Sequence, residues 1–185
     1  MKPCSPLLAT LLLVGMALPA AGQELSAAWQ QHEVDFTYVG FTTRYSCEGL
    51  RDKMRVLLEA SGARRGFKVT LGACADGPGG VTEFPRVRLV FHTAELAAPG
   101  LHAAGEPVLA RWKAVTLSRH EPRQLEPGDC ELVEQFRDRI LPRFTTRRVD
   151  GDINCIPHQL SGSSFALKFE VLEGVPSADA ARPAR

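Results

Sequence analysis

Four cysteines carry the clearest chemistry in this sequence. Cys47 and Cys74 are 27 residues apart, and Cys130 and Cys155 are 25 residues apart. In each pair the first cysteine opens a helical pattern and the second follows a strand-like run. An even number of cysteines in an exported chain favours disulfides over free thiols or zinc, and there is no Cys-x-x-Cys pair. Three connectivities are possible, and treating both pairs alike predicts Cys47–Cys74 and Cys130–Cys155.

The segments around these cysteines predict two similar units. Residues 33–93 follow the pattern strand, helix, strand, strand, and residues 111–172 repeat it after an Ala/Gly/Pro-rich connector at 94–110. Helices on one face of a mainly antiparallel sheet, a two-layer α+β fold, should result. The units could share one sheet or form two small domains, and the small size of each favours a single body. Aligning the helices on their cysteines pairs Leu50 with Val133, Leu57 with Ile140 and Leu58 with Leu141.

Helix boundaries are marked by capping residues. Ser46 and Asp129 precede the two helical patterns, and both types are preferred N-caps. Gly62 is placed to end the first helix and Pro142 to end the second. The first strand is predicted to follow the alternation that begins at residue 33, after a lead-in at 23–32.

The two ends of the chain differ in character from its middle. The first 22 residues are typical of a secretory signal, with Lys2, an apolar core at 7–18 and the small residues Ala20-Ala21-Gly22. The apolar core is shorter than a transmembrane helix requires. Residues 173–185 are predicted to form a disordered tail. We therefore expect export to the periplasm or beyond, without a membrane span.

The charge balance limits the classes of partner. Loss of the leader removes Lys2, so 21 basic residues remain against 21 acidic residues. Nucleic acids and anionic membranes both require a basic excess, so neither is predicted as a partner. An envelope protein or a component of the cell wall is the expected partner.

One predicted strand places basic side chains on an outward face. Arg86, Arg88 and His92 alternate there with apolar residues at 87, 89 and 91. Such a face suits an anionic sugar or a peptide carboxylate, although an ordinary solvated sheet face has the same pattern. Tyr45, just before the first helix, and Trp112, at the start of a strand, are further binding candidates. They belong to a group of aromatics that could stack on a ligand, namely Trp29, Tyr38, Tyr45 and Trp112.

Acid–base residues are present without a recognisable catalytic motif. No nucleophile stands at an interpretable distance from the His120-Glu121 pair, and Gly162-Ser163-Ser164 lacks the second glycine of a nucleophile elbow. The sequence therefore predicts no catalytic residue, and enzyme activity is disfavoured without being excluded. An enzyme would need at least two of the following to converge: His92, His120, Glu121, Asp150 and Asp152.

One segment has part of a metal-binding pattern. Asp150, Asp152 and Asn154 have the oxygen spacing that opens a calcium loop. The sixth and twelfth positions hold Cys155 and Ser161 rather than glycine and glutamate. A polar turn or a bulged strand explains the segment better, so the sequence predicts neither a metal nor a cofactor.

Part of the first unit resembles known sequences. The segment 45–54, Tyr-Ser-Cys-Glu-Gly-Leu-Arg-Asp-Lys-Met, together with Gly62-Ala63-Arg64, resembles a family of uncharacterised exported proteobacterial proteins. The resemblance implies an exported bacterial protein and no particular activity. In architecture the units are loosely similar to peptidoglycan-binding SPOR repeats, which share the order strand, helix, strand, strand. SPOR domains continue with a further helix and strand and need no paired cysteines.

These patterns together predict a non-enzymatic exported protein of the cell envelope, with a binding or accessory role and two disulfides. The alternative is a protein that binds, or hydrolyses, cell-wall glycan or peptide through an open sheet face.

Overall fold

The computed structural model describes residues 24–72, 81, 83–97 and 105–175. Six strands form one sheet in the order β2-β3-β1-β4-β6-β5, and every neighbouring pair is antiparallel. The elements are β1 (Leu25–Thr37), α1 (Cys47–Ala60), β2 (Lys68–Leu71), β3 (Arg86–Leu96), β4 (Glu106–Ser118), α2 (Cys130–Arg139), β5 (Thr146–Asn154) and β6 (Ser164–Gly174), with 3₁₀ turns at Pro127–Asp129 and Leu141–Arg143.

Both helices cover the same face of this sheet. The strand register places Val87, opposite Phe36, on that face, and Leu167, opposite Leu117, on the same side. These four residues and the buried stripes of α1 and α2 form one apolar cluster. The opposite face, which we call the open face, carries the alternate residues of each strand. The α+β class with a mainly antiparallel sheet is therefore confirmed.

The predicted caps are confirmed for α1. The Ser46 side chain accepts a hydrogen bond from the Gly49 amide (3.0 Å). Gly62 follows the helix with φ of +80°, a conformation that glycine adopts without a steric cost. The prediction for α2 was wrong in its detail, because Asp129 belongs to the preceding 3₁₀ turn and accepts from the Glu126 amide (2.7 Å) instead of capping α2.

Three strands run further into the Ala-rich segments than alternation predicts. β1 begins at Leu25, eight residues before the expected start, and β3 and β4 extend into the predicted connector. The reason is a small apolar cluster on the open face. Ala27, Ala94 and Ala110 are buried there, and Trp29 and Trp112 pack against them. Small side chains are needed where large rings lie across a sheet, so these alanines belong to strands despite their low β-propensity.

The disulfide Cys130–Cys155 is confirmed, with an S–S distance of 2.05 Å. It ties the first turn of α2 to the residue that follows β5. Cys47 is also disulfide-bonded. Its predicted partner, Cys74, lies outside the described residues, so the pairing Cys47–Cys74 stays a prediction.

The chain ends fall largely outside the description. The expected leader at 1–22 lies outside it, and so does the tail from residue 176 onwards. β6 continues to Gly174, two residues into the segment predicted as a tail. In the part of the chain that is described, neither helix is long and apolar enough to cross a membrane.

Candidate functional site

The open face brings together three of the predicted binding residues on β3. Arg86, Arg88 and His92 alternate along this strand and share the face. Arg86 donates through Nε to the Thr37 hydroxyl (3.0 Å), and Arg88 forms an ion pair with Glu33. These hydrogen bonds orient both guanidinium groups towards the neighbouring strand β1. The basic stripe is therefore partly neutralised rather than a bare cationic patch.

Trp112, the fourth predicted residue, lies on the same face on β4. The Arg147 guanidinium lies 4.1 Å from the centre of its indole ring, a cation–π contact. Trp29 on β1 has an equivalent partner, since the Arg64 guanidinium lies 5.2 Å from the centre of that ring. The register shows why four segments meet, because Trp29 is opposite Ala94 on β3 and Glu106 on β4.

Carboxylates hold both arginines in place. Arg64 donates to the two carboxylate oxygens of Glu106 (2.6 and 3.0 Å), and Glu170 accepts from Arg147 (2.5 Å) and Arg148 (2.6 Å). Hydrogen bonding to Arg64 lowers the pKa of the Glu106 carboxyl, and hydrogen bonding to Arg147 lowers the pKa of Glu170. Both carboxylates are therefore ionised under ordinary conditions, and each indole stays covered by a fixed guanidinium. Sequence analysis missed all five charged residues, since their roles depend on pairing across strands.

Tyr45, the fifth predicted residue, lies away from this face and is 7% exposed. Its hydroxyl donates to Asp129 (2.5 Å), whose other oxygen accepts from Lys53 (2.7 Å). The Tyr45 ring also packs edge-on against Tyr38 (4.9 Å between centroids). These contacts join the segment before α1, α1 itself and the turn before α2. Tyr45 is therefore placed to hold the two halves of the fold together, not to contact a ligand.

A second buried carboxylate, Glu131, binds the segment that follows β1. It accepts from the backbone amides of Phe41 (3.0 Å) and Thr42 (3.0 Å) and from the Tyr38 hydroxyl (3.3 Å). Its position in the first turn of α2 adds the favourable field of the helix N-terminus. Asp129 and Glu131 flank Cys130, so the Asp-Cys-Glu tripeptide supplies one bridge and two buried acceptors.

Both tyrosines of the chain should resist ionisation. Burial raises the pKa of Tyr45 far above its usual value of 10, and Asp129 raises it further. Burial and Glu131 raise the pKa of Tyr38 in the same way. A raised pKa gives stability that is complete below pH 10, where tyrosine in the unfolded chain is also neutral, and that is lost as the pH rises above it.

We therefore expect no tyrosinate absorbance at 295 nm near pH 10 while the protein stays folded, and a cooperative rise at higher pH as it unfolds. The urea-unfolded chain is the control, and its two tyrosines should titrate near pH 10. A native titration with the unfolded midpoint would contradict the buried network.

The five catalytic candidates do not assemble into an acid–base site. His92 on β3 and the two aspartates of β5 are separated by three intervening strands, or about 19 Å at a spacing of about 4.8 Å. His120 and Glu121 are exposed in the turn after β4, and the His120 ring accepts from the adjacent Arg119 (3.3 Å). The arrangement therefore supplies no nucleophile–base pair among the described residues.

The segment with partial calcium spacing is a strand with a bulge. Asp150 lies opposite Lys168 and Asp152 opposite Ala166, and the register shifts between Arg147 and Asp150. The two aspartates are thus two positions apart on one strand face. Among the described residues no group of three histidine, cysteine or acidic side chains is arranged to hold a metal ion.

No family model, curated protein or solved structure matches this chain.

Proposed function

We propose that this protein is an exported, non-enzymatic binding or accessory protein of the cell envelope, and that it binds its partner through the open face. One observation supports the proposal most strongly. Four of the five predicted binding residues, Arg86, Arg88, His92 and Trp112, lie on that face, with the Arg64–Trp29 and Arg147–Trp112 pairs at its centre. Aromatic and arginine side chains held in fixed positions are typical of binding surfaces.

The open face also supports a duplicated origin for the two halves. Leu25 lies opposite Ala110, and Ala27 lies opposite Val108. Adding 83 to the β1 numbers turns 25 into 108 and 27 into 110, so the pairing is symmetric about Ser26 and Leu109. The same shift relates three further pairs that share a role: Trp29 with Trp112, Cys47 with Cys130 and Arg64 with Arg147.

We therefore propose two strand-helix-strand-strand units related by a pseudo-two-fold axis between β1 and β4. On this basis the open face presents the arginine-on-indole pair twice, once on each side of the axis. A surface of this kind suits a partner with two equivalent contact points, whether a symmetric protein or a repeating polymer.

The cell-wall alternative is supported by the same pairs, since indole rings and guanidinium groups also contact glycans and stem-peptide carboxylates. The two candidates differ in the partner that the open face retains. A pull-down of the oxidised mature protein separates them, with isolated cell wall in one arm and a wall-free envelope-protein extract in the other.

The decisive variant is Arg86→Ala/Arg88→Ala. The matched control is Arg65→Ala/Arg123→Ala, which removes the same charge from two exposed positions in turns. Retention of a discrete envelope protein that only the first variant abolishes would support the accessory role. Retention on wall with that dependence would establish the alternative. Binding in either arm that both variants leave intact would refute the open-face proposal.

A further inference from the structure

Exposed apolar side chains gather at one end of the fold. Nine large hydrophobic side chains are exposed among the described residues, and five of them surround the segment 38–46 that joins β1 to α1. We call this group the apolar end. Its members are Val39, Phe41, Val81, Phe84 and Leu160, each between 45% and 60% exposed.

Backbone contacts bring the first half of this group together. The Tyr38 amide donates to the Pro85 carbonyl (3.0 Å), which places Phe84 beside Val39. Val81 forms a β-bridge with Ser46 at the other end of the segment. Three apolar side chains from two parts of the chain are thereby fixed along the segment.

Contacts from the loop after β5 complete the group. The Phe41 ring packs against the His158 ring (5.8 Å between centroids), and Thr42 donates to the Ile156 carbonyl (3.3 Å). Leu160 packs against Gly128, which also contacts Thr43. The exposed rings therefore lie on one continuous surface.

Helix α2 holds the backbone of this segment in place. Gln135 accepts from the Val39 amide (3.2 Å) and donates to the Val39 carbonyl (2.7 Å). Glu131 binds the next two amides of the segment, those of Phe41 and Thr42, as described above. A buried carboxylate is costly unless it is well bonded, and here its bonds keep a solvent-exposed apolar segment rigid. The exposure of these rings is thus built into the fold.

The charges beside the apolar end are mostly basic. Arg86 and Arg139 both donate to Thr37, two residues before Val39, and Arg44 is exposed within the segment. Glu83 is the acidic neighbour, next to Phe84. The Glu131 carboxylate is buried and its charge is met by backbone amides. Exposed aromatic rings with basic neighbours complement a surface that is apolar inside and negatively charged outside.

We propose that the apolar end docks on the surface of an anionic lipid bilayer, with Phe41 and Phe84 inserted below the headgroups. This surface is distinct from the open face, so the inference stands apart from the proposed function. It also differs from the expectation from net charge, because a neutral chain can carry a local basic excess. The three arginines come from separate segments that only the fold brings together.

The test is co-flotation of the oxidised mature protein with vesicles of phosphatidylglycerol and phosphatidylcholine, compared with phosphatidylcholine alone. We expect binding to the anionic vesicles only, weakening as salt is added. Phe41→Ser should weaken binding roughly tenfold or more, since an inserted phenyl ring contributes strongly to transfer from water. Arg86→Ala/Arg139→Ala should also weaken it.

The matched control is Leu96→Ser, which removes an exposed apolar side chain of β3, 47% exposed, on the open face. It should bind vesicles like the unaltered protein. Absence of binding to anionic vesicles, or equal effects of Phe41→Ser and Leu96→Ser, would overturn the proposal. So would capture of an envelope protein that depends on Phe41 while lipid binding is absent. Melting curves of each variant identify any loss of folding.

Discussion

Replacing Asp129 with alanine should lower the free energy of unfolding by about 3–5 kcal/mol, the range for removing one partner of a buried ion pair. The Asp129 side chain is 2% exposed and binds Tyr45, Lys53 and the Glu126 amide. Its loss leaves the Lys53 ammonium, 19% exposed, without its counterion, and leaves the Tyr45 hydroxyl without an acceptor. Urea unfolding, followed by the fluorescence of the two tryptophans, measures the change.

A matched control is available on the adjacent helix. Asp138→Ala removes an exposed aspartate that pairs with Arg137, and such pairs contribute less than about 1 kcal/mol. In the double variant Asp129→Ala/Lys53→Met the unpaired charge is removed as well, so it should be more stable than Asp129→Ala alone. Equal stability of Asp129→Ala and Asp138→Ala would show that the buried network contributes nothing.

Replacing both cysteines of the confirmed bridge should have the second largest effect. We expect Cys130→Ala/Cys155→Ala to lose about 3 kcal/mol of unfolding free energy, because the bridge restricts the unfolded chain across a loop of 25 residues. The bridge also fixes the first turn of α2, which carries Glu131, so the apolar end should become less rigid. Denaturant titration under oxidising conditions measures the loss.

Reductant provides the control for this comparison. In denaturant with excess thiol the bridge of the unaltered protein opens too, so the gap between the two proteins should shrink to the packing loss at the alanines. An unchanged gap would mean that packing, not the cross-link, is responsible. Coincident unfolding curves under oxidising conditions would contradict a stabilising role for the bridge.

Local signals in the sequence were sufficient for much of the fold. Strict alternation at Arg86–His92 predicted both faces of β3, since a strand turns successive side chains to opposite sides. Ser46 and Gly62 bounded α1 because their cap interactions lie within a few residues. The bridge Cys130–Cys155 followed from a similar spacing in both halves. In each case the signal and its structural partner are close in the chain or repeated along it.

The Ala-rich segments show where local signals mislead. Alanine has little preference for strands, so 94–110 was interpreted as a connector. Its ends are strands because Trp29 and Trp112 pack against the alanines from other parts of the sheet. A shift of 83 residues aligns the two tryptophans and would have been a usable signal for this cluster.

The buried network shows the same limit for polar residues. Tyr45 and Asp129 are 84 residues apart, and nothing near either residue identifies the other. Tyr45 was therefore a candidate for binding and Asp129 a candidate for capping, each a sound local interpretation. Burial against a distant partner replaced both roles, because a buried polar group must find its hydrogen bonds wherever the fold supplies them.

By itself the sequence determined the α+β class, the α1 caps, the Cys130–Cys155 bridge and the basic side of β3. The tertiary structure decided which charged residues pair, which aromatic rings are covered and where exposed apolar side chains gather. The physical reason is the range of the interactions. Periodicity and caps act within one element, whereas ion pairs, cation–π contacts and burial depend on side chains that only chain folding brings within a few ångströms.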